Sequence, residues 1–342
     1  MENLYGGGIL EIPIMKKEGC RVTMIDKQNF MIEGGVSGMQ GFRTEMEDQH
    51  INIKMPSAPD HLFLGVFDGH GGAGCAIYVC GTDPKRNPKD KNLYEILEET
   101  NEWVQYLRSG KPDGTEKDIG LLRKALITTY KEIDIQMQDY IKKNEDKYSK
   151  FGGCTAITVM ITPEYIVCAN AGDSRAIISK AYGKAIELSQ DHKPDNPEEL
   201  ARIEAAGGYV SVDNRVDGYL ALSRALGDFE LKGDPGLLQE QQKVSCVPEI
   251  ILKKREPNDE MVVLACDGLW DVFSNDEVIE NVRQIWNEGE RNIQLVAEEM
   301  CDQALFTGST DNISVIVVKL QGAKISSYGE GVIGRRKKRL FP

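Results

Sequence analysis

The 342-residue sequence lacks a Cys-x-x-Cys pair, an apolar run of membrane-spanning length and an excess of basic residues. Its eight cysteines are scattered, and several lie within apolar strand-like runs. We therefore expect buried thiols in a reducing compartment, and neither a disulfide framework nor a zinc site. The missing apolar run predicts no membrane span. The net charge of −13 argues against non-specific binding of nucleic acid.

Two targeting signals are also missing from the N-terminal residues. No charged region precedes a long apolar core, so we expect no secretory signal peptide. Glu2 stands where N-myristoylation requires a glycine, so we expect no such lipid anchor. The composition is otherwise ordinary, because 41% hydrophobic and 28% charged residues are typical of a globular protein with a large core.

Carboxylates stand at the ends of four apolar runs. An unpaired charge at the mouth of a buried strand is costly, so the repetition suggests that these carboxylates converge on a shared compensating partner. Oxygen ligands suit Mg²⁺ or Mn²⁺, whereas Zn²⁺ more often recruits Cys and His. The four cases are Asp68 after residues 61–67, Asp173 after residues 168–172, Asp267 after residues 261–266 and Asp311 before residues 313–318.

The hydrophobic periodicity predicts hairpins and separate blocks of helices. Paired apolar runs predict hairpins over 155–170 and 175–188. Because the strands come in hairpin-linked runs and the helices arrive in blocks, the sequence predicts an α+β protein with antiparallel sheets, not an alternating parallel fold. Helices are predicted near 93–107, over 121–141, after Asn196, after Ser274 and over 291–305, with a last strand over 312–320.

The two ends of the chain differ from its middle. Residues 1–30 form an N-terminal extension, either an extra strand or a segment lying against the main domain of residues 31–322. Residues 323–342 form a basic tail whose Ser and Gly residues resist packing, so we expect it to be dispensable for catalysis. Its basic run 335–339 is either a nuclear localisation signal or an ordinary solvated end. We expect the protein in the cytoplasm, the nucleus or both.

Several polar segments are ordinary when each is taken alone. Arg43 precedes two adjacent acids, a pattern that surface charges on a strand also produce. Asp68 and a glycine precede His70, a candidate proton donor, although a single His after a turn is more often structural. Residues 172–175 and 267–271 are compatible with simple turns.

The conjunction of these segments is far more specific. Taken in order with four further segments, they resemble the metal-dependent protein serine/threonine phosphatases of the protein phosphatase 2C family. The resemblance runs from about residue 35 to residue 320. It departs from the family at Cys154, where Ser is frequent, and residues 9–30 have no clear counterpart. The matching segments are residues 43–48, 68–70, 152–156, 172–175, 191–194, 223–228, 267–271 and 311–312.

The resemblance implies a four-layer α-β-β-α sandwich of two antiparallel sheets flanked by helices, with a binuclear metal site at one end. It also implies two Mg²⁺ or Mn²⁺ ions per subunit and, as in some members, a weaker third ion. Carried over residue by residue, Asp68 bridges the two ions, the Gly69 carbonyl binds one of them, and Glu47, Asp267 and Asp311 complete the pair. Asp48 supports these ligands through water or hydrogen bonds, and Asp173 and Asp271, with Asp267, match the third site.

The resemblance further implies that Arg43 binds the substrate phosphate and that His70 protonates the leaving group. Residues 215–218 stand where the family carries a flap beside the cleft. The residue types suit the chemistry, because a guanidinium matches phosphate oxygens bidentately and an imidazole titrates near neutrality. No cysteine nucleophile is required, so Cys75 and Cys154 are not catalytic candidates.

We therefore expect a monomeric hydrolase that removes phosphate from phosphoserine and phosphothreonine in phosphorylated proteins, by direct attack of a metal-bridging water. We expect no nucleic-acid or membrane partner. Two alternatives stay open: a catalytically silent phosphatase-like scaffold and a hydrolase of small phosphoesters.

Overall fold

The computed structural model describes residues 8–26, 29–84, 86–87, 89–109, 115–143 and 152–340. Its strands, in chain order, are β1 (Ile9–Ile25), β2 (Met31–Arg43), β3 (Gln49–Met55), β4 (Ala58–Phe67), β5 (Gly69–His70), β6 (Gly153–Cys154), β7 (Ala156–Ile161), β8 (Tyr165–Ala171), β9 (Arg175–Lys180), β10 (Ala185–Glu187), β11 (Leu226–Gly227), β12 (Glu249–Lys254), β13 (Asp259–Ala265) and β14 (Ile313–Lys319).

The helices surround these strands in separate blocks. They are α1 (Gly74–Cys80), α2 (Leu93–Glu99), α3 (Asn101–Arg108), α4 (Glu116–Lys143), α5 (Pro197–Ala205), α6 (Asp267–Trp270), α7 (Asn275–Asn287), α8 (Ile293–Thr307) and α9 (Gly331–Leu340). None of the helices in the described ranges is both long enough and apolar enough to span a bilayer.

Two large antiparallel sheets form the centre of the molecule. The first has the strand order β1-β2-β14-β13-β9-β10 and the second has the order β12-β8-β7-β4-β3. A small third sheet, β11-β6-β5, links the second sheet to the segment around residue 227. Every pairing between these strands is antiparallel, which confirms the predicted sheet type.

The apolar core is divided into layers by these sheets. Ile32 and Val36 of β2 pack between the sheets with Leu62 and Leu64 of β4. Helices α7 and α8 cover the outer face of the first sheet, while α1 to α4 cover the second. Central strands such as β4 and β13 are therefore buried on both faces, which explains why their sequences are continuous apolar runs. The four-layer α-β-β-α sandwich is confirmed.

One predicted helix is interrupted. Thr100 divides residues 93–107 into α2 and α3, because its backbone is extended (ψ 140°) and its Oγ1 accepts a hydrogen bond from the Trp103 N–H. Thr100 therefore caps the second helix where a continuous helix was expected.

The chain ends pack more closely than the sequence suggested. The N-terminal extension is a strand, β1, at the edge of the first sheet. The expectation that residues beyond 323 resist packing is wrong, because α9 lies on α7 and α8 with Val332 fully buried. Arg335 pairs with Glu288, and Arg336 with Glu298. The boundaries at residues 30 and 322 stay predictions.

Candidate active site

One end of the sandwich carries a cavity of about 580 Å³. Asp68 follows β4, Asp267 follows β13 and opens α6, and Asp311 precedes β14. β13 and β14 are neighbours in the first sheet, and β4 packs against both of them from the second sheet, so the polar ends of the three strands meet at the same end of the fold. Eight residues singled out from the sequence line the cavity: Arg43, Glu47, Asp68, Gly69, His70, Asp173, Asp267 and Asp311.

Asp48 and Asp271 are not among the residues that line this cavity. Asp48 is buried behind it, where one of its carboxylate oxygens, one of Asp68 and the Cys266 sulfur lie within 4.8 Å of one another. Asp271 caps the C-terminal end of α6. Burial raises the pKa of Asp271, with Asp173 and Asp311 adding to the effect and Lys193 opposing it. Both residues therefore belong to the electrostatic surroundings of the cavity.

The acid cluster, defined here as Asp48, Asp68, Asp267 and Asp311, carries more negative charge than its protein surroundings compensate. Burial raises the pKa of Asp68 well above its usual value, and the neighbouring Asp267 and Asp48 raise it further. Burial and the charges of Asp173 and Asp311 do the same to the pKa of Asp267. Burial also raises the pKa of Asp48 to about 6. Such a cluster favours a bound cation.

The donor atoms fit a hard divalent ion. Neither carboxylate oxygen of Asp48 has a hydrogen-bond partner in the described part of the chain, although both are buried. The Cys266 Sγ donates a hydrogen bond to the Asn312 carbonyl, and burial raises the pKa of this thiol well above its usual value, which disfavours the thiolate form that binds metals. The available ligands are therefore carboxylate oxygens, which suit Mg²⁺ or Mn²⁺ rather than Zn²⁺.

Arg43 stands at the end of β2 beside the acid cluster. Its Nη2 donates a hydrogen bond of 2.5 Å to Asp311 Oδ2. Asn312 supports this region by donating from Nδ2 to the carbonyls of Gln40 and Glu45 and by accepting from the Glu47 N–H at 2.8 Å. Asn312 thus fixes the loop between Arg43 and Glu47. Its motif was noticed in the sequence, but this positioning role was missed.

His70 has a buried partner that was also missed. Its Nε2 lies 2.8 Å from Asp228 Oδ2. Burial lowers the pKa of His70, but the charge and hydrogen bond of Asp228 outweigh burial, and the net pKa is raised. Asp228 has φ 52° and follows Gly227 at φ 82°, a left-handed turn that brings its carboxylate to the histidine. A Cβ on Gly153 would collide with that carboxylate. The adjacent residues Gly227 and Asp228 were the sequence signal that could have indicated this turn.

Asp68 and Asp173 are held by specific neighbours. The Asp68 N–H donates to Thr155 Oγ1, and the Thr155 N–H donates back to the Asp68 carbonyl at 2.8 Å. Asp173 forms an ion pair with Lys193. Lys193 therefore competes with any cation at the predicted third site.

The cysteines near the site have no nucleophilic character. Burial raises the pKa of Cys75 and Cys154 far above their usual value. All eight cysteines are free thiols, and seven are buried. Cys20 on β1 is the exception to the expected burial, since it is exposed.

The predicted flap segment, residues 215–218, contributes Arg215 to the cavity lining. Arg215 Nη1 donates to the Tyr219 carbonyl at 2.8 Å. The neighbouring residues 220–222 also line the cavity. This part of the chain therefore adds one cation and apolar side chains to a cavity that also contains the acid cluster.

Comparison with known proteins agrees with this geometry. The family model "Protein phosphatase 2C" matches residues 32–313. A probable protein phosphatase 2C of Caenorhabditis elegans is 36% identical, with 92% of this chain and 80% of the relative covered. Protein phosphatase 2C homolog 2 of Saccharomyces cerevisiae is 35% identical, over 95% of this chain and 65% of the relative.

A solved structure shows the same fold. The serine-threonine phosphatase 2C from Toxoplasma gondii superposes with a TM-score of 0.70 at 23% identity, covering 88% of this chain and 99% of that chain. The match of the family model to most of the sequence, together with these relatives, leaves one conclusion. The chain belongs to the protein phosphatase 2C family.

Proposed function

We propose that this cavity hydrolyses phosphoserine and phosphothreonine in phosphoproteins with the help of two divalent ions, Mg²⁺ or Mn²⁺. Membership of the family makes the chain a metal-dependent protein serine/threonine phosphatase, and thus a hydrolase. The observation that carries the finer proposal is the uncompensated acid cluster next to Arg43 and His70.

The ligands proposed for the two ions are Glu47, Asp68, the Gly69 carbonyl, Asp267 and Asp311, with Asp48 behind them. When bound, such ions neutralise phosphate charge and lower the pKa of water towards neutrality. Asp173 and Asp271, with Asp267, are the proposed ligands of a weaker third ion. The Lys193 ammonium, which pairs with Asp173 Oδ2, would oppose a cation at that third site by charge repulsion.

Arg43 is proposed to bind the phosphate. Its guanidinium carries five N–H donors in a rigid fork that matches phosphate oxygens bidentately, and Asp311 engages Nη2. Replacement by Lys would keep the charge but lose the fork. Arg43 lines the same cavity as the acid cluster, so a phosphate bound there can reach the guanidinium N–H groups that Asp311 does not engage.

His70 is proposed to protonate the departing serine or threonine oxygen. Asp228 occupies Nε2, so Nδ1 is the atom left to release a proton. The raised pKa keeps the ring protonated to higher pH, which suits a general acid. Asp228 is a positioning residue, because it acts on substrate only through His70.

The experiment that tests this proposal is a metal titration of the purified protein. We expect hydrolysis of a phosphothreonine peptide and of an aryl phosphate with Mg²⁺ or Mn²⁺, and its loss in excess chelator. Full activity in chelator would contradict the metal assignment. Hydrolysis of the aryl phosphate without any peptide turnover would favour a small-phosphoester hydrolase. A monomeric state and a cytoplasmic or nuclear location stay predictions.

A further inference from the structure

An exposed apolar patch lies on the edge strand β1. The β1 patch, defined as residues 9–15, contains four large apolar side chains that are well exposed: Ile9 (67%), Ile12 (79%), Ile14 (41%) and Met15 (43%). Single exposed apolar side chains are ordinary, but several on one short segment mark a binding surface.

The patch is continuous with the rim of the catalytic cavity. The Thr44 N–H donates a 3.1 Å hydrogen bond to the Gly8 carbonyl, and Ile9 lies opposite Arg43 in the β1–β2 pairing. Arg43, Thr44 and Glu45 all line the cavity. A polypeptide whose phosphate reaches Arg43 can therefore extend directly onto the patch.

The backbone of the patch is poorly suited to pairing with another strand. Between Ile9 and Ile14, β1 advances five residues while β2 advances two, from Arg43 to Gly41, so three additional residues form a bulge. The bulge contains Pro13, which has no N–H to donate. Bulges and prolines at a sheet edge discourage strand addition, including pairing with a second copy of the chain. The patch therefore offers a partner its exposed apolar side chains rather than backbone hydrogen-bonding groups.

We propose that the β1 patch binds apolar side chains of the phosphoprotein substrate that flank the phosphorylated residue in sequence. The inference rests on the proposed function, and it adds a preference among substrates. An extended chain advances about 3.3 Å per residue, so the seven-residue patch is at most about 23 Å long. The substrate side chains that contact it therefore lie within about seven residues of the phosphoresidue.

The test compares peptides that differ only in these flanking residues. One set of phosphothreonine peptides carries Leu or Val four to six residues from the phosphothreonine, on either side, and the matched set carries Ser. The double variant Ile12→Asp/Met15→Asp removes the patch. Ile25→Asp is the matched control, because Ile25 is 62% exposed at the opposite end of the same strand.

We expect the double variant to lower kcat/KM for the better apolar peptide about tenfold, mainly through KM, since one or two apolar contacts are lost. Turnover of the Ser peptides and of p-nitrophenyl phosphate should not change. The Ile25→Asp control should resemble wild type, and Ile12→Leu should keep the preference for apolar peptides.

Three results would overturn the inference. Equal kcat/KM for apolar and Ser peptides in wild type would show that the patch does not select substrates. If the double variant lowered kcat/KM for p-nitrophenyl phosphate as much as for the apolar peptides, the patch would only stabilise the structure of the cavity. A dimer in sedimentation that the double variant dissociates would make the patch an interface between copies. Failure of the proposed function is distinct, because wild type would then hydrolyse none of the peptides with Mg²⁺ or Mn²⁺.

Discussion

Two groups of buried charges in this molecule have opposite electrostatic character. In the acid cluster, burial and neighbouring carboxylates raise the pKa of Asp68 and Asp267. Around Glu199, burial also raises the pKa, but Arg224 and Arg202 outweigh it and lower the pKa of Glu199 to about 2. The cost of burial is common to both groups, and the difference is that Glu199 forms ion pairs with two arginines, whereas neither Asp68 nor Asp267 has an ion pair within the described residues.

The Glu199 group is complete within the protein. Arg224 Nη2 lies 2.7 Å from Glu199 Oε1, and Arg202 Nη1 lies 2.8 Å from Oε2. The Ser223 hydroxyl donates to the same carboxylate at 2.6 Å. These contacts fix the segment that leads to Asp228, the partner of His70. The Glu199 group is therefore compensated within the protein, whereas the acid cluster is the group proposed to receive its counter-charge from bound metal ions.

The largest expected effect comes from disrupting the acid cluster. Asp68→Asn should lower metal-dependent phosphatase activity about a hundredfold or more, because a ligand proposed to be shared by two ions is lost. Steady-state kinetics across a Mn²⁺ titration measures this effect. Asp139→Asn, an exposed acid on α4, is the control that should keep wild-type activity.

The same variant should behave differently in chelator. Without metal, Asp68→Asn removes like-charge repulsion, so thermal unfolding should show equal or higher stability than wild type. Near wild-type rates for the variant at modest Mn²⁺ would contradict the proposed bridging role of Asp68.

Mutation of the Glu199 group should change the free energy of unfolding rather than the catalytic rate. Glu199→Gln leaves two arginines without their counter-charge and should lower the free energy of unfolding by about 2 kcal/mol, with or without metal. Urea denaturation measures this change. Glu256→Gln breaks a solvent-exposed pair with Lys180 and should leave the urea midpoint close to that of wild type, because solvent screens such pairs. If the two variants lost the same free energy of unfolding, the buried Glu199 group would contribute no more to stability than a surface ion pair.

The His70–Asp228 pair lies at the same cavity as the acid cluster, but its two members can compensate each other's charge. Asp228→Asn should lower kcat for a phosphothreonine peptide about tenfold while sparing an aryl phosphate, whose phenolate leaves without a proton. Asp228 raises the pKa of His70, so its loss should lower that pKa. The decline of peptide turnover at alkaline pH should therefore move to lower pH in the variant.

The variant to compare with Asp228→Asn is His70→Gln. It should also lower kcat for the peptide more than for the aryl phosphate. Because it has no imidazole to titrate, the alkaline decline of peptide turnover that is due to His70 should be absent. Equal slowing of the peptide and the aryl phosphate would instead assign His70 to the support of the metal ligands.

The smallest expected effect on activity concerns the C-terminal helix. Truncation after Gly322 should lower the free energy of unfolding by about 1.5 kcal/mol, because Val332 loses its burial against α7 and α8. Metal-dependent turnover should stay close to wild type, since α9 does not line the catalytic cavity. Ile333→Ser, at a largely exposed position of the same helix, should not change stability. An unchanged urea midpoint after truncation would show that the tail does not stabilise the fold and is an ordinary solvated end.

Local sequence patterns predicted most of the elements near the site. The runs before Asp68 and Asp267 became strands β4 and β13, and the Ser274 capping box does begin α7. These patterns succeed because burial on both faces and helix capping act over a few residues. The break at Thr100 was missed because its cap competes with an otherwise continuous helical stripe.

Motifs in the sequence were sufficient to select eight of the residues that line the cavity. Which charges form pairs became known only from the packed structure. Asp228 reaches His70 across 158 positions, and the basic residues of α9 find carboxylates on α7 and α8. The physical reason is that compensation depends on distance in space and on burial, which are fixed when sheets and helices pack, and no local pattern encodes them.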